Sequence, residues 1–150
     1  MVKWPNDVLL DGRKTAGVLL EASGGEVVCG IGINVNQDAN DLPPQTRVPA
    51  TSLRIAAGRS FDRGTLLAAT LLELERHYEM WLEGGLAGLL PDLERRNALC
   101  GRRVRVGDRA GRAGAIASDG RLTIVLGRGD TVLVESGEVE LGPGEALATG

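Results

Sequence analysis

The chain has 150 residues, a hydrophobic fraction of 43% and a formal net charge of −3. This length and apolar content suffice for one ordinary core, or for one medium and one small core. The acidic balance disfavours nucleic acid as the main partner, and no apolar run approaches the roughly 20 residues that cross a bilayer.

The first residues and the cysteines indicate the compartment. The segment from Met1 to Pro5 has no apolar stretch typical of a signal peptide, so we expect a cytoplasmic protein. Cys29 and Cys100 are expected to be reduced thiols, although spacing alone leaves a disulfide open. His77 is the only histidine, which removes a histidine-based metal site from consideration.

The first third of the sequence predicts β structure. A strand over residues 8–10 is followed by an Asp-Gly turn, a strand over 16–21, a Ser-Gly-Gly turn and a third strand over 27–36. The run 37–48 is polar, contains Pro43-Pro44 and is predicted to be an exposed loop.

The middle third predicts helices. A short helix is expected from about Pro49 to Gly58, and Asp62 is a favourable N-cap for a longer one that ends at Gly84-Gly85. Apolar residues recur in the longer helix at three- and four-residue steps, which predicts a core-facing stripe: Leu67, Leu71, Leu74, Tyr78 and Trp81. A further helical stretch is expected over 86–96.

The last third alternates apolar and polar residues in short runs separated by Gly-Asp turns, which favours a small barrel or sandwich. The change of period predicts two modules, residues 1–97 and 98–142, followed by a flexible tail at 143–150.

Three motifs contain polar or glycine residues that could bind a ligand. Lys3-Trp4-Pro5-Asn6-Asp7 could hold a phosphate and its metal, although a packed Trp-Pro followed by a turn is the better interpretation of that run alone.

The turn Gly12–Gly17 could place Lys14 beside an anion, or be a solvated hairpin turn. In Gly30–Asn36 the glycines indicate close approach of a ligand or backbone, and the asparagines could bind a flat ligand or cap the strand end. Ser136-Gly137-Glu138-Val139 is interpreted as a turn.

Taken together and in this order, K-W-P-N-D, R-K-x-A-G, G-I-G-I-N-V-N, A-T-S-L and S-G-E-V resemble bacterial biotin protein ligases, from Lys3 to about Leu141. The resemblance implies an α+β fold: a mixed sheet with helices on one face, as in a truncated class II synthetase, and then a small SH3-like β-barrel. It also implies ATP-dependent formation of biotinyl-5'-AMP and transfer of biotin to a lysine of the biotin carboxyl carrier protein of acetyl-CoA carboxylase, with ATP, biotin and Mg²⁺ as cofactors.

The resemblance assigns a role to each motif residue. Lys14 would be the catalytic lysine near the biotin carboxyl group. The other implied assignments are Lys3, Trp4, Asn6, Asp7 and Asn34 to the ATP or adenylate, Gly17, Gly30 and Gly32 together with Lys14 to biotin, and Asp7 to the metal. We therefore expect Lys14, Asn6, Asp7 and Asn34 to surround one concave surface.

One feature of the family does not occur in the sequence. The family places a Gly/Arg-rich loop before K-W-P-N-D, and no G-R-G-R-type string is present here. The expectation is therefore a ligase fragment that forms biotinyl-AMP slowly by itself. The alternative is a non-catalytic module that binds a carrier protein, another copy of itself or a missing N-terminal half. A DNA-binding corepressor is disfavoured by the acidic charge and the lack of a helix-turn-helix.

Overall fold

The structure is a computed structural model that describes residues 1–44 and 47–147. Its N-terminal part is a four-stranded sheet of β1 (Val2–Lys3), β2 (Asp7–Leu10), β3 (Arg13–Ser23) and β4 (Glu26–Ile33), in the order β1-β2-β3-β4. Asp11 and Gly12 have φ values of 47° and 70°, as a tight hairpin turn requires, so the predicted Asp-Gly hairpin is confirmed.

In the described part of the chain, three helices follow this sheet: α1 (Leu53–Ala57), α2 (Arg63–Gly84) and α3 (Leu90–Arg96). Two 3₁₀ turns, Ala39–Asp41 and Gly85–Gly88, lie between the regular elements. The Asp62 carboxylate accepts the Thr65 backbone N–H at 2.7 Å, which confirms the predicted N-cap of α2. This hydrogen bond lowers the pKa of Asp62 below its ordinary value.

The apolar stripe of α2 is exposed, and its interpretation as core packing was wrong. Leu67 is 59% exposed and Trp81 is 47% exposed, with Tyr78 stacked on Trp81 at a ring-centroid distance of 5.7 Å. The three-to-four spacing identified the helix correctly, but spacing cannot show whether another element covers the stripe.

The C-terminal part is a five-stranded sheet. It contains β5 (Arg103–Val106), β6 (Arg109–Ile116), β7 (Leu122–Leu126), β8 (Thr131–Val134) and β9 (Glu140–Leu141), in the order β8-β7-β6-β5-β9. Its edge strands β8 and β9 do not pair with each other, so the sheet is not closed. Both sheets pair antiparallel, which corrects the expected mixed sheet; parallel contacts in the described residues are isolated bridges, Val2 with Asn97 and Lys14 with Ala50. The α+β class itself is confirmed.

The main core lies in the C-terminal sheet and includes one residue from the N-terminal part. Leu99, Leu122 and Ile124 are fully buried there, and Trp4 packs into the same cluster with 6% exposure. Its indole N–H donates to the Gly120 carbonyl at 3.0 Å. The segment between β1 and β2 is thus fixed to the C-terminal sheet.

The cysteines, the C-terminal tail and the helices can each be compared with the sequence predictions. Cys29 and Cys100 are exposed free thiols. In the predicted tail, Glu145 contacts the sheet by accepting a hydrogen bond from Arg103 at 3.1 Å, and residues 148–150 lie outside the described residues. Within the described part of the chain, no helix is long and apolar enough to cross a membrane. The predicted module boundaries stay a prediction.

Candidate active site

A cavity of about 610 Å³ lies between the two sheets. One wall carries Lys3, Asn6, Asp7 and Lys14 from the N-terminal sheet. Another wall is the segment Gly137–Val139, which connects β8 to β9, and Arg47 and Val48 of the loop before α1 complete the lining. Two separated motifs, K-W-P-N-D and the R-K hairpin, therefore meet at one surface.

A β-bulge places Lys14 in this cavity. Along the β2–β3 pair, Val8 pairs with Ala16 but Leu9 pairs with Lys14, so Thr15 is the extra residue. Residues paired across a ladder share a face, and a bulge shifts that alternation by one residue. Lys14 therefore lies on the same face as Gly17 and Asp7, whereas an unbroken strand would place it on the other face.

The Asp7 carboxylate links two ammonium groups. Lys14 Nζ lies 2.5 Å from its Oδ1, and Lys3 Nζ lies 3.8 Å from its Oδ2. The Asp7 side chain is 12% exposed and Lys3 7%, whereas Lys14 retains 42% exposure. The buried Asp7 carboxylate binds the Lys14 ammonium and so fixes its orientation. Because the Lys14 side chain remains partly exposed, a ligand can still reach it.

The same carboxylate is a poor fit for the metal predicted at Asp7. A divalent cation there would have to displace at least one ammonium group and would lie close to the second positive charge. Among residues 1–44 and 47–147, no cluster of three or more His, Cys, Asp or Glu side chains could hold a metal. The residues around Asp7 therefore do not fit a protein-bound metal.

A strip without side chains begins beside Lys14. Gly17 pairs with Gly32 across β3 and β4, and Gly30, two residues along β4, shares their face. A Cβ atom at Gly17 would lie 3.4 Å from Lys14 Nζ, whereas one at Gly30 would meet only the Leu19 carbonyl at 3.7 Å. The glycines therefore give a flat ligand access to the backbone next to the ammonium.

The asparagines of the third motif contact backbone. Asn34 donates through Nδ2 to the Thr51 carbonyl at 3.0 Å, and Asn36 makes a reciprocal pair of hydrogen bonds with the backbone of Phe61. Asn34 is not among the residues that line the cavity. The structure thus brings Lys14, Asn6 and Asp7 together in the lining of one cavity. The adenylate-binding roles assigned to Asn34 and to the core residue Trp4 stay predictions.

Two charged residues at the cavity were missed from the sequence. Arg47 lies in a run interpreted only as a polar loop, and Glu138 belongs to the string interpreted as a turn. The S-G-E-V string was part of the family resemblance and could have signalled the second. No local pattern marks Arg47, because only the packing of the loop brings it to the cavity.

Comparison with known proteins defines the class. The profile of the biotin/lipoate A/B protein ligase family matches residues 1–38. The solved structure of apo biotin protein ligase from Aquifex aeolicus superposes with a TM-score of 0.85 at 29% identity, covering 94% of this chain and 64% of that one. Its complex with biotin and ATP superposes with a TM-score of 0.81 over 94% and 61% of the two chains, also at 29% identity. The sheets and helices of this chain thus have the arrangement found in a ligase of the biotin/lipoate type.

Curated relatives narrow this class. Biotin--[acetyl-CoA-carboxylase] ligase of Mycobacterium tuberculosis is 38% identical over 143 residues, which cover 92% of this chain and 52% of that protein. Bifunctional ligase/repressor BirA of Bacillus subtilis is 44% identical over 89 residues, or 56% of this chain and 27% of that protein. The chain belongs to the biotin protein ligase family and corresponds to its C-terminal portion. It spans about half the length of the Mycobacterium relative and about a quarter of the length of the Bacillus one.

Proposed function

We propose that the chain takes part in ATP-dependent activation of biotin to biotinyl-5'-AMP and in transfer of biotin to a lysine of the biotin carboxyl carrier protein of acetyl-CoA carboxylase. The observation that carries this proposal is the Lys14 ammonium, oriented by Asp7 at 2.5 Å and adjacent to the glycine strip of β3 and β4. The names of the Mycobacterium relative and of the Aquifex complex with biotin and ATP support the same reaction. Because the reaction consumes ATP, the proposal includes a cytoplasmic location.

The first proposed step is an in-line displacement. A biotin carboxylate oxygen attacks the α-phosphorus of ATP, the bond to the bridging oxygen breaks, and pyrophosphate leaves with the electron pair. Lys14 lies next to both anionic groups and neutralises the charge that accumulates between them. Asp7 keeps Lys14 oriented, so its proposed role is in positioning that lysine. Mg²⁺ bound to ATP would supply further neutralisation through the phosphates.

The second proposed step transfers biotin. The neutral amine of a carrier lysine attacks the acyl carbon of biotinyl-AMP, the acyl–oxygen bond breaks, AMP leaves with the electron pair, and the nitrogen releases one proton to solvent. The same Lys14 ammonium stabilises the departing phosphate. In this proposal Gly17, Gly30 and Gly32 line the biotin site, while Lys3, Trp4, Asn6 and Asn34 belong to the nucleotide side.

The structure also favours a second candidate, a binding module without catalysis. The outer half of the β3–β4 hairpin exposes apolar side chains on both faces: Leu19 and Leu20 are 60% and 63% exposed, and Val27 and Val28 are 65% and 67% exposed. Successive residues of a strand point to opposite faces. Exposed apolar surface of this kind is typical of a contact with another polypeptide.

Biotin-dependent ATP–pyrophosphate exchange separates these candidates. Lys14→Gln should slow exchange by about 10²–10³, the usual cost of removing one transition-state charge donor. Arg128→Gln is the matched control because Arg128 is absent from the cavity lining. Since the chain spans about half of the Mycobacterium relative, each variant is assayed alone and with that relative's N-terminal half. Equal exchange in Lys14→Gln and Arg128→Gln would contradict the catalytic proposal, and no exchange under either condition would favour the binding module.

A further inference from the structure

Arg47 forms a charge cluster at the cavity with two carboxylates of the C-terminal sheet. Its Nη1 atom lies 2.8 Å from Glu138 Oε2 and 2.6 Å from Glu140 Oε1. Arg47 and Glu138 both line the cavity that contains Lys14. This cluster has no part in the proposed chemistry of Lys14.

Backbone pairing brings Arg47 close to Lys14. The Lys14 N–H donates to the Pro49 carbonyl at 2.8 Å, and the Thr51 N–H donates to the Lys14 carbonyl at 2.8 Å. Residues 49–51 therefore run beside β3 at the position of Lys14, and Arg47 precedes this segment by two residues. On the other side, Val139 is 3% exposed in the C-terminal core and fixes the neighbouring Glu138.

Burial indicates what the cluster does. The side chains of Arg47, Glu138 and Glu140 are 63%, 62% and 44% exposed, and ion pairs at such exposure contribute little to stability. The wall is already held by buried contacts of Val139 and Trp4. The principal effect of Arg47 is therefore on the charge of the cavity.

The charge balance of the cavity depends on Arg47. The lining side chains include three cations, Lys3, Lys14 and Arg47, and two carboxylates, Asp7 and Glu138. Glu140, which pairs with Arg47 beside this lining, brings the carboxylates to three. Without Arg47, three carboxylates would therefore face two cations, and Glu138 and Glu140 would both lack their cationic partner. An anionic ligand entering beside Lys14 would then meet uncompensated negative charge.

We propose that Arg47 strengthens binding of the phosphate end of the nucleotide at the Lys14 cavity, and that it does so by neutralising the Glu138 and Glu140 carboxylates. The nucleotide as ligand rests on the proposed function. The charge argument itself applies to any polyphosphate of suitable size.

Calorimetric titration of the whole chain with ATP and with inorganic pyrophosphate tests this proposal. Arg47→Gln should weaken binding of both probes roughly 5- to 20-fold, as expected for uncovering carboxylate charge at a partly solvated site. The triple variant Arg47→Gln, Glu138→Gln, Glu140→Gln should regain most of the lost affinity, because the repelling charges are gone. Arg54→Gln is the control, since Arg54 pairs with Asp38 at 3.3 Å and does not line the cavity. Circular dichroism of every variant checks that the fold is retained.

Each other result would overturn the proposal. Unchanged affinity in Arg47→Gln would show that the guanidinium does not influence the cavity. Weak binding in both Arg47→Gln and the triple variant would show that the ion pairs act by holding the wall. Failure of the unsubstituted chain to bind either probe would also refute it. Pyrophosphate exchange is measured separately. If phosphate binding depends on Arg47 in this way but no biotin-dependent exchange occurs, the role of Arg47 in phosphate binding is supported and the proposed function is contradicted.

Discussion

Replacement of Trp4 by Phe tests whether the C-terminal sheet holds the K-W-P-N-D segment beside the cavity. The Trp4 ring is 6% exposed in the C-terminal core, and its Nε1–H donates to the Gly120 carbonyl at 3.0 Å. Loss of this donor leaves a carbonyl without its partner at a cost of about 1–3 kcal/mol. The smaller ring also leaves a void, which adds about 1 kcal/mol for a few tens of Å³. We therefore expect a loss of about 2–4 kcal/mol, a large share of the roughly 5–15 kcal/mol that stabilises a typical domain.

Urea unfolding followed by circular dichroism measures this loss. Trp81→Phe is the matched control, because Trp81 is 47% exposed on α2 and its replacement should change the free energy of unfolding by no more than about 0.5 kcal/mol. Trp4→Phe should also weaken pyrophosphate binding, since Lys3 and Pro5 on either side of Trp4 line the cavity. Equal stability of the two Trp variants would refute the claim that Trp4 fixes this segment to the C-terminal sheet.

Two further predictions concern the glycine strip and the pH dependence of stability. Gly17→Val should slow pyrophosphate exchange at least about tenfold, because a Cβ at residue 17 already lies 3.4 Å from Lys14 Nζ and the valine methyl groups would crowd it. Gly127→Val, whose Cβ would meet nothing within 4 Å and which does not line the cavity, should leave exchange nearly unchanged, and equal loss in both variants would contradict this argument. Hydrogen bonding by Arg103 lowers the pKa of Glu145 below its ordinary value of 4.5, so its contribution to stability should be present above pH 4.5 and be lost as pH falls through the lowered pKa. Thermal unfolding at several pH values should show a smaller loss between about pH 5 and 3 for Glu145→Gln than for the unsubstituted chain; identical pH profiles would count against the pairing.

Local sequence signals identified most elements because each depends on neighbouring residues. The Asp-Gly turn requires positive φ at both central residues, and the structure has it. The Asp62 cap and the end of α2 at Gly84 were found for the same reason, since one side chain and one glycine determine them. The third strand was predicted to extend to Asn36 but ends at Ile33. Beyond that point Asn36 binds the distant backbone of Phe61, a contact that no local pattern contains.

The covering of apolar surfaces could not be predicted from periodicity. The α2 stripe and the outer β3–β4 hairpin carry the pattern of core elements, yet Leu67 and Val28 are 59% and 67% exposed. Hydrophobic spacing shows which side chains share a face but not what packs on that face. Trp4 gives the reverse case, because a residue assigned by resemblance to the nucleotide side lies in the core of the C-terminal sheet.

The sequence by itself determined the family and the types of residue that the site requires, because the five motifs and their order are a property of the chain alone. It also placed Lys14 in a hairpin beside small residues, since the turn is local. Only the tertiary structure decided that Lys14 faces Asp7 and Gly17, because the bulge at Thr15 depends on the register of β3 against β2. It alone brought Arg47 to Glu138 of the C-terminal sheet, 91 residues further along the chain, because that contact depends on the packing of one sheet against a loop of the other.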